Sequence, residues 1–298
     1  MTELQKTEFE MLREFVRICD EIGLTYYLVC GSALGAVKYQ GFIPWDDDID
    51  VGMPREDYEI FCEKAQAMLP EHLFLQNSNT DKYYHLAFSK IRNNNTTFVE
   101  KSCANLNINH GVYIDVFPLD GYPRDARSQI RLEREKRRYS LARLCCLNVP
   151  LTWKTKILVF IEKLFGIHRN PKRFVRRIDR EIRKYSTSDS DILCNHGNWQ
   201  GKLEYAPKEQ YGDGTIAEFE GLTVRIPEKY DEYLTQKYGD WRADLPKEKQ
   251  QGHHYHYVCD IEHAYNEYIL MSSKHRVVFK NKRNSDDFLT VEQATVMK

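Results

Sequence analysis

The sequence predicts an α/β (α+β) fold in which helices flank a mixed β-sheet core and a basic helical segment is inserted after that core. Three observations support this class. Helical and strand patterns alternate over roughly residues 1–120, three helical patterns follow one another over 124–185, and a hairpin pattern occupies 214–227. The chain has 298 residues, 42% of them hydrophobic, and is therefore long enough to bury a large core.

The N-terminal part is expected to form an α/β unit. Thr2 can cap a first helix, because apolar residues recur at helical spacing after it, and Gly23 is a typical helix end. The patterns that follow are, in order, strand "TYYLVC" (25–30), short helix "ALGAVKY" (33–39), strand "IDVGM" (49–53), a helix from Pro54 to about Leu69, strand "YYHLAFSKIR" (83–92), strand "TTFVE" (96–100) as its hairpin partner, and strand "GVYIDVF" (111–117).

After residue 123 the pattern becomes helical. Three helices are expected over 127–147, 152–167 and 171–185, with Pro150 and Pro171 at sensible boundaries. They are followed by a hairpin that turns near Glu220-Gly221, a helix over 228–239, and a polar tail. We therefore expect three parts: an α/β core (1–123), a basic helical insertion (124–186), and a C-terminal part (187–298) whose hairpin and helix pack back on the core.

The charge is unevenly distributed. The chain has 43 basic and 44 acidic residues, yet residues 124–184 hold 19 Lys/Arg against 6 Asp/Glu. Basic and apolar positions interleave there at helical spacing, which is typical both of a solvated helical subdomain and of helices that lie on an anionic membrane surface. No nucleic-acid-binding module is recognisable, so no nucleic-acid partner is expected.

The N-terminus and the cysteines indicate a cytoplasmic protein. "MTELQKTEFEMLREF" is charged and amphipathic, unlike a secretory signal, and no apolar run reaches the length of a membrane span. Eight cysteines are scattered without a CxxC pair, as is typical of reduced thiols. We expect a cytoplasmic location, with peripheral attachment to the inner membrane face through the basic helices as an extension of this interpretation.

A cluster of aspartates is the clearest candidate site. "GFIPWDDDIDVGMP" (41–54) holds four aspartates in five positions. If the strand includes them, Asp46, Asp48 and Asp50 share one face and Asp47 lies on the other, as a solvated residue at the strand entry. Asp48 and Asp50 would then be about 6.6–7 Å apart at their Cα atoms, a spacing at which two carboxylates can converge on Mg²⁺ or Mn²⁺, with Asp46 as an additional ligand.

Two further features fit a phosphate-handling site. Asp115, in "VYIDVF", lies between aromatic residues, and a buried carboxylate there needs either a basic partner or a metal ion. Gly31-Ser32 stands where a strand gives way to a helix, and exposed N–H groups at a helix start can hold a phosphate. A Gly-Ser pair alone is usually only a turn. Three acids and this loop, in this order, favour the metal site.

These motifs resemble those of the LicD/fukutin-related phosphotransferase family. "GSALGAVKYQGFIPWDDDIDVGMPREDYEIF" carries the resemblance most specifically, and "IDVFPLDGYP" and "FEGLTVRIPEKYDEYLTQKYGDW" support it. The resemblance covers most of residues 20–120 and 215–250. It implies a nucleotidyltransferase fold, with residues 1–123 as the catalytic core.

The resemblance also implies a reaction. LicD-type enzymes transfer phosphocholine, or a similar phospho-alcohol, from a CDP-activated donor such as CDP-choline to a hydroxyl of a cell-surface glycan precursor, releasing CMP. Teichoic acid and lipopolysaccharide precursors, often lipid-linked, are the expected acceptors. By position, Asp48 and Asp50 would be catalytic metal ligands, Asp115 the third carboxylate and a candidate general base, and Gly31-Ser32 the nucleotide phosphate loop.

The remaining candidates are less specific. Lys90 and Arg92 share a strand face and are candidates either to bind phosphate or to be ordinary strand charges. Choline favours an aromatic cage, for which the candidates are Trp45, Tyr84 and Trp241, with Tyr83 and Trp199 as alternatives. A zinc site in "HHYHYVCDIEH" would use three of His253, His254, His256, Cys259 and His263, although the spacing matches no common structural site.

Other functions remain open at this stage. A nucleotidyltransferase that adds NMP to a small molecule would use the same acids, and a glycosyltransferase can use an Asp-x-Asp pair to bind a sugar nucleotide. A membrane-surface scaffold would bind a cation without turnover. The products separate these alternatives.

Overall fold

The computed structural model describes residues 1–197, 201–252, 254–271 and 276–279. Its helices are α1 (Glu3–Ile22), α2 (Cys30–Tyr39), α3 (Arg55–Met68), α4 (Ala126–Cys146), α5 (Trp153–Leu164), α6 (Pro171–Ile182), α7 (Lys208–Tyr211) and α8 (Tyr230–Tyr238). Its strands are β1 (Tyr27–Leu28), β2 (Asp50–Pro54), β3 (Leu73–Gln76), β4 (Ser89–Asn93), β5 (Thr97–Glu100), β6 (Val112–Gly121), β7 (Ile192–Cys194), β8 (Tyr205–Pro207), β9 (Thr215–Phe219), β10 (Leu222–Ile226), β11 (His256–Asp260), β12 (Tyr268–Met271) and β13 (Arg276–Phe279).

The core is a mixed seven-stranded sheet with the order β1-β2-β6-β4-β3, extended by β7 and β8 beyond the end of β6. Strands β2 and β6 are parallel, and the other neighbouring pairs are antiparallel. Helices α1 and α3 pack on this sheet. The α+β class predicted from the sequence is therefore confirmed.

Local sequence signals define several elements as expected. The Thr2 side chain accepts a hydrogen bond from the Gln5 backbone N–H (3.1 Å), and the Gln5 side chain accepts one from the Thr2 N–H (2.9 Å), which forms a capping box. Gly23 ends α1 at φ +73°. The predicted hairpin forms as β9–β10, and its two turn residues, Glu220 and Gly221, both have positive φ.

Two strand predictions around residue 90 are wrong. Strand β4 begins only at Ser89 because Tyr84, His85 and Leu86 are buried in succession and do not alternate as a half-exposed strand would. Strand β5 was expected to pair with this strand. Both edges of β4 are instead occupied by β3 and β6, so β5 pairs with β11.

The C-terminal segment contains more structure than a polar tail. Strand β11 joins β5, and β12 pairs with β13. The first of these pairings brings residues 254–256 to the same end of the sheet as the aspartates of residues 46–50. The sequence pattern did not predict these strands, because several residues of β11 remain partly exposed and show little alternation.

Helices α4 and α6 form a second small core, whose buried residues are Leu132, Tyr139, Val175, Ile178 and Ile182. All three helices of this region lie close to the predicted ranges. Helix α4 is capped by Asp125, whose carboxylate accepts a hydrogen bond from the Ser128 N–H, and Pro171 is the first residue of α6.

Within the described residues, we find no helix with the length and hydrophobicity needed to span a bilayer.

Candidate active site

The sheet brings three charged residues into one row. In the parallel pair β2–β6, Asp50 lies opposite Asp115, and in the antiparallel pair β6–β4, Asp115 lies opposite Lys90. The Lys90 Nζ is 2.7 Å from the Asp115 Oδ1 and lies over the ring of Tyr113. Neighbouring strands are about 4.8 Å apart, so the row is compact. Asp115 therefore has a basic partner, which was one of the two interpretations of its buried carboxylate. The neighbouring aspartates are still candidate metal ligands.

The other aspartates reach this row from a loop. Strand β2 begins at Asp50, so the strand alternation predicted for residues 46–48 is wrong. Nevertheless, Asp46, Asp48, Asp50 and Asp115 all line one cavity of about 810 Å³. Asp47 does not project into solvent as a strand-entry residue, because its carboxylate is held by the C-terminal segment, as described below.

Two helices shape the loop that carries the aspartates. On α1, the Gln5 side chain donates a hydrogen bond to the Asp46 carbonyl oxygen (3.0 Å). On α2, Gly31 lies against the Asp46 carboxylate, and a β-carbon at this position would lie only 2.8 Å from Asp46 Oδ2. Glycine therefore permits the close approach of helix and carboxylate. From the hairpin, Glu220 accepts a hydrogen bond from the Phe42 N–H (3.2 Å).

The predicted phosphate loop is the first turn of α2. Gly31 lines the cavity, and the N–H groups of Gly31 and Ser32 lie in a turn where helix geometry provides no intrahelical acceptor. The Ser32 hydroxyl oxygen accepts a hydrogen bond from the Asp50 N–H (2.8 Å), so Ser32 also fixes the first residue of β2. A helix N-terminus facing the acids and the cavity is suited to bind an anionic group.

The carboxylates repel one another. Burial, followed by the charge of Asp48, raises the pKa of Asp46 to about 8. Burial and the charges of Asp48 and Asp115 also raise the pKa of Asp50. On α1, Glu8 is only 2% exposed, and burial together with the neighbouring aspartates raises its pKa. Bringing these groups together therefore costs folding free energy, which a cation bound in the cavity would offset.

Two basic side chains partly neutralise this charge. Lys90 pairs with Asp115, as described. Burial alone would lower the pKa of His254, but its hydrogen bond with Asp47 and the charges of Asp48 and Glu100 outweigh burial and raise that pKa to about 10. Burial would raise the pKa of Glu100, but Lys90 and His254 are among the charges that hold it at about 2.

His254 is remote in sequence from the aspartates but contacts them in the structure. Its backbone N–H donates to Asp47 Oδ2 (3.1 Å), and its ring Nδ1–H donates to Asp47 Oδ1 (3.1 Å). The same ring nitrogen is 3.9 Å from Asp48 Oδ2. The Asp47 carboxylate also lies against Gly252. Asp47 thus holds Gly252 and His254 beside the cavity, and no sequence pattern indicates His254 as a partner of the acids.

The donor set fits a hard divalent cation. Carboxylate oxygens are the preferred ligands of Mg²⁺ and Mn²⁺, and Asp46, Asp48, Asp50 and Asp115 all line the cavity. Within the described residues, the ligand atoms of Asp47, Asp48 and His254 lie within 4.8 Å of one another and could also hold a metal ion.

The remaining predicted residues are divided between the cavity and the core. Trp45 and Trp241 line the cavity, together with Tyr39 and Tyr238, which the sequence analysis did not select. Tyr84 is buried in the core, Tyr83 does not line the cavity, and Trp199 lies outside the described residues. Arg92 is 1% exposed and donates to the Gln76 side chain and the Gly111 carbonyl oxygen, so it braces the sheet and does not reach the cavity.

The histidine-rich segment does not assemble a zinc site among the residues that the structure describes. His254 binds Asp47, His256 contacts the His254 carbonyl oxygen, and His263 pairs with Asp260. Cys259 is exposed and belongs to no candidate metal group there. His253 lies outside the described residues.

Comparisons with known proteins match a region of the chain that includes most of these residues. Residues 23–132 match the family model described as LicD/FKTN/FKRP, nucleotidyltransferase domain. Over 261 residues the chain is 28% identical to the lipopolysaccharide cholinephosphotransferase LicD of Haemophilus influenzae, a match that covers 85% of this chain and 96% of that protein. A match of 48 residues is 42% identical to the human ribitol 5-phosphate transferase FKRP and covers 16% of this chain and 10% of that protein. The uncharacterized protein RP689 of Rickettsia prowazekii is 28% identical over 120 residues, which are 39% of this chain and 40% of that protein.

The fold and the acidic cavity define an α+β protein whose candidate active site is rich in carboxylates. The matched region, residues 23–132, includes Gly31, Ser32, the aspartates of residues 46–50, Lys90 and Asp115. Residues 23–132 thus match a domain of the LicD family, and this match together with the similarity to the Haemophilus enzyme supports a LicD-type phosphotransferase.

Proposed function

We propose that this protein transfers phosphocholine, or a similar phospho-alcohol, from a CDP-activated donor to a hydroxyl of a cell-surface glycan precursor such as lipopolysaccharide or teichoic acid. The acceptor oxygen forms a bond to the phosphorus that carries the alcohol, the bond from that phosphorus to the CMP phosphate oxygen breaks, and CMP leaves. Similarity to the Haemophilus enzyme along almost its whole length supports this choice of reaction.

The row of Asp50, Asp115 and Lys90 at the floor of the cavity is the observation that carries the proposal. It places carboxylates beside a cation, opposite a helix N-terminus that can bind phosphate. Such a site is suited to phosphoryl transfer, because charge must be neutralised on the non-bridging and leaving oxygens. A nucleotidyltransferase-type core within residues 1–123 is part of the same proposal.

A magnesium or manganese ion would be held by Asp48, Asp50 and Asp115, with Asp46 as a further ligand. When bound, such an ion neutralises negative charge on the phosphates of the donor. The carboxylates are suited to it because all four line one cavity and carboxylate oxygens are the preferred ligands of these ions.

The chain's own groups have distinct tasks in this proposal. The N–H groups of Gly31 and Ser32 bind a donor phosphate, and Lys90 stabilises negative charge next to Asp115. The acceptor hydroxyl must lose a proton. Asp115, the base expected from the sequence, is paired with Lys90, and Asp46, which lines the same cavity, takes this role where it is not a ligand of the ion.

Aromatic side chains that line the cavity are our candidates to receive the quaternary ammonium of choline. Trp45 and Tyr39 meet edge to face, with ring centroids 6.3 Å apart, and Trp241 lines the same cavity. A quaternary ammonium is attracted to aromatic faces. A lipid-linked acceptor would reach such a site from the membrane surface, in keeping with the cytoplasmic, peripheral location that we propose.

Ligand binding and product analysis test the proposal. Thermal-shift measurements with Mg²⁺ compare four ligands: CDP-choline, CDP-ribitol, CDP-glycerol and a UDP-sugar. A true donor present at about ten times its Kd should raise the Tm by about 2–4 °C. Turnover should yield CMP and a modified glycan. Release of pyrophosphate indicates NMP transfer, release of a nucleoside diphosphate indicates glycosyl transfer, and cation binding without turnover indicates a scaffold.

The Asp47–His254 contact leads to a prediction about the C-terminal segment. Replacing Asp47 with alanine removes both acceptors that hold His254, so Gly252 and His254 should detach from the cavity. We expect trypsin to cleave after Lys249 at least several-fold faster than in the wild type, and the KM for the donor to rise about tenfold, which corresponds to ~1.4 kcal/mol of lost binding.

The matched control is Asp213→Ala, which removes an exposed aspartate on the β9 side of the molecule. It should change neither the digestion rate nor the KM. Unaltered cleavage at Lys249 in Asp47→Ala would show that the contact does not hold the segment in place.

A further inference from the structure

Helix α5 turns an apolar face to solvent. The exposed large apolar residues of this helix and its C-terminal cap are Trp153, Ile157, Leu158, Phe160, Ile161, Leu164 and Phe165, which we call the α5 surface. Phe160 is 63% exposed and Leu164 71%. Single exposed apolar residues are ordinary, but seven on one short helix form a contiguous patch of the kind that marks an interaction site.

The rest of the helix shows why this face is free. Val159 is the one large apolar residue of α5 that is buried, at 5% exposure. At 3.6 residues per turn it lies on the side opposite Ile157, Ile161 and Leu164, and α5 packs against α4. The α5 surface therefore points away from the body of the protein.

Unpaired positive charge borders the α5 surface. Lys154, Lys156 and Lys163 make no ion pair with any residue in the described part of the chain, and Lys154 lies over the Trp153 ring. On the neighbouring helices, by contrast, many basic residues are paired internally, for example Arg177 with Glu135 and Arg131 with Glu181. The surroundings of α5 thus combine apolar side chains with free lysines.

The active-site cavity opens next to this helix. Leu147, Val149 and Pro150, in the connection from α4 to α5, line the cavity, and α5 begins three residues after Pro150. A surface that binds α5 therefore also lies beside the entrance through which an acceptor must come.

We propose that the α5 surface docks on an anionic lipid bilayer, with the helix lying in the plane of the interface. The apolar side chains would enter the boundary between headgroups and acyl chains, and the lysines would contact lipid phosphates. A second copy of the chain fits less well, because a symmetric contact through α5 brings like-charged lysines from both copies together. This inference concerns binding alone and does not depend on the identity of the donor.

Vesicle co-sedimentation of the full chain tests the proposal. The wild type should bind vesicles of phosphatidylcholine and phosphatidylglycerol, and bind vesicles of phosphatidylcholine alone at least about tenfold more weakly. The triple variant Ile157→Gln, Phe160→Gln, Leu164→Gln should lose at least about tenfold in affinity for the anionic vesicles. Charge reversal by Lys154→Glu, Lys156→Glu, Lys163→Glu should have an effect of similar size, because it removes the attraction to lipid phosphates. All six positions are exposed, so both variants should fold.

Matched control variants carry equal changes elsewhere. The apolar control is the triple variant Ile60→Gln, Leu203→Gln, Ile216→Gln. The charge control is the triple variant Lys64→Glu, Lys247→Glu, Lys249→Glu. Both alter exposed residues on other faces and should bind like the wild type. Equal binding by the wild type and both α5 variants would overturn the proposal. So would sedimentation equilibrium showing a dimer that the α5 variants dissociate, together with no vesicle binding by the wild type.

Discussion

Replacing Asp50 with asparagine is expected to abolish turnover and to make the metal-free protein more stable. Asp50 lies between Asp48 and Asp115 in the site, and burial and those charges raise its pKa, so its ionised form destabilises the fold. Asparagine keeps the shape and the backbone N–H that binds Ser32. We expect kcat/KM to fall by about 10³-fold or more, and the free energy of unfolding in EDTA to rise by about 1–3 kcal/mol.

The metal dependence of Tm makes this test specific. Magnesium should raise the Tm of the wild type, because the ion binds the folded state, and should raise that of Asp50→Asn far less. Asp20→Asn, at an exposed position of α1, is the control and should change neither activity nor the response to magnesium. An Asp50→Asn variant with wild-type turnover would contradict the assignment of the site.

Replacing Asp120 with alanine is expected to cost about 3–5 kcal/mol of folding free energy. The Arg55 Nε is 2.5 Å from Asp120 Oδ1, and Arg55 Nη2 is 2.7 Å from Asp120 Oδ2, in a bidentate pair. Asp120 is 1% exposed and Arg55 8%, so removing the carboxylate leaves a buried guanidinium with two weak partners, Asp179 at 3.4 Å from Nη1 and the Tyr58 ring. Urea unfolding measures the loss.

A double variant separates the ion pair from the packing. With Arg55→Met and Asp120→Leu together, neither charge remains, and stability should recover to within about 2 kcal/mol of the wild type. Glu59→Ala is the matched control, because it removes the acid partner of Arg183 at the surface and should cost less than about 1 kcal/mol. If Asp120→Ala and Glu59→Ala cost the same, the pair does not hold α3 to the end of β6.

Much of the fold could be predicted because the relevant signals are local. Helix caps such as Thr2, the period of apolar residues, and a turn whose two central residues have positive φ act within a few residues. The aspartates of residues 46–50 were recognised as a group for the same reason. The strand assumed for residues 46–48 was wrong, and the convergence of these acids with Asp115 came instead from a loop held by Gln5 and from the register of β2 and β6.

Two features of the site could not be predicted from the sequence. His254 meets Asp47 across 207 positions, and nothing near His254 indicates that partner. Arg92 and Lys90 lie two residues apart on one strand and looked equivalent. In the register of β4 with β6, Lys90 lies opposite Asp115, whereas Arg92 donates hydrogen bonds to Gln76 and Gly111 within the sheet.

The amino-acid order alone therefore predicted the class of fold, most of the helices, and an acidic motif that resembles that of LicD-type phosphotransferases, because each depends on neighbours along the chain. Three-dimensional packing decided which charges meet in the cavity, which strand accompanies β5, and which apolar face of α5 remains uncovered. Those outcomes depend on contacts between distant segments, and periodicity carries no information about which segments meet.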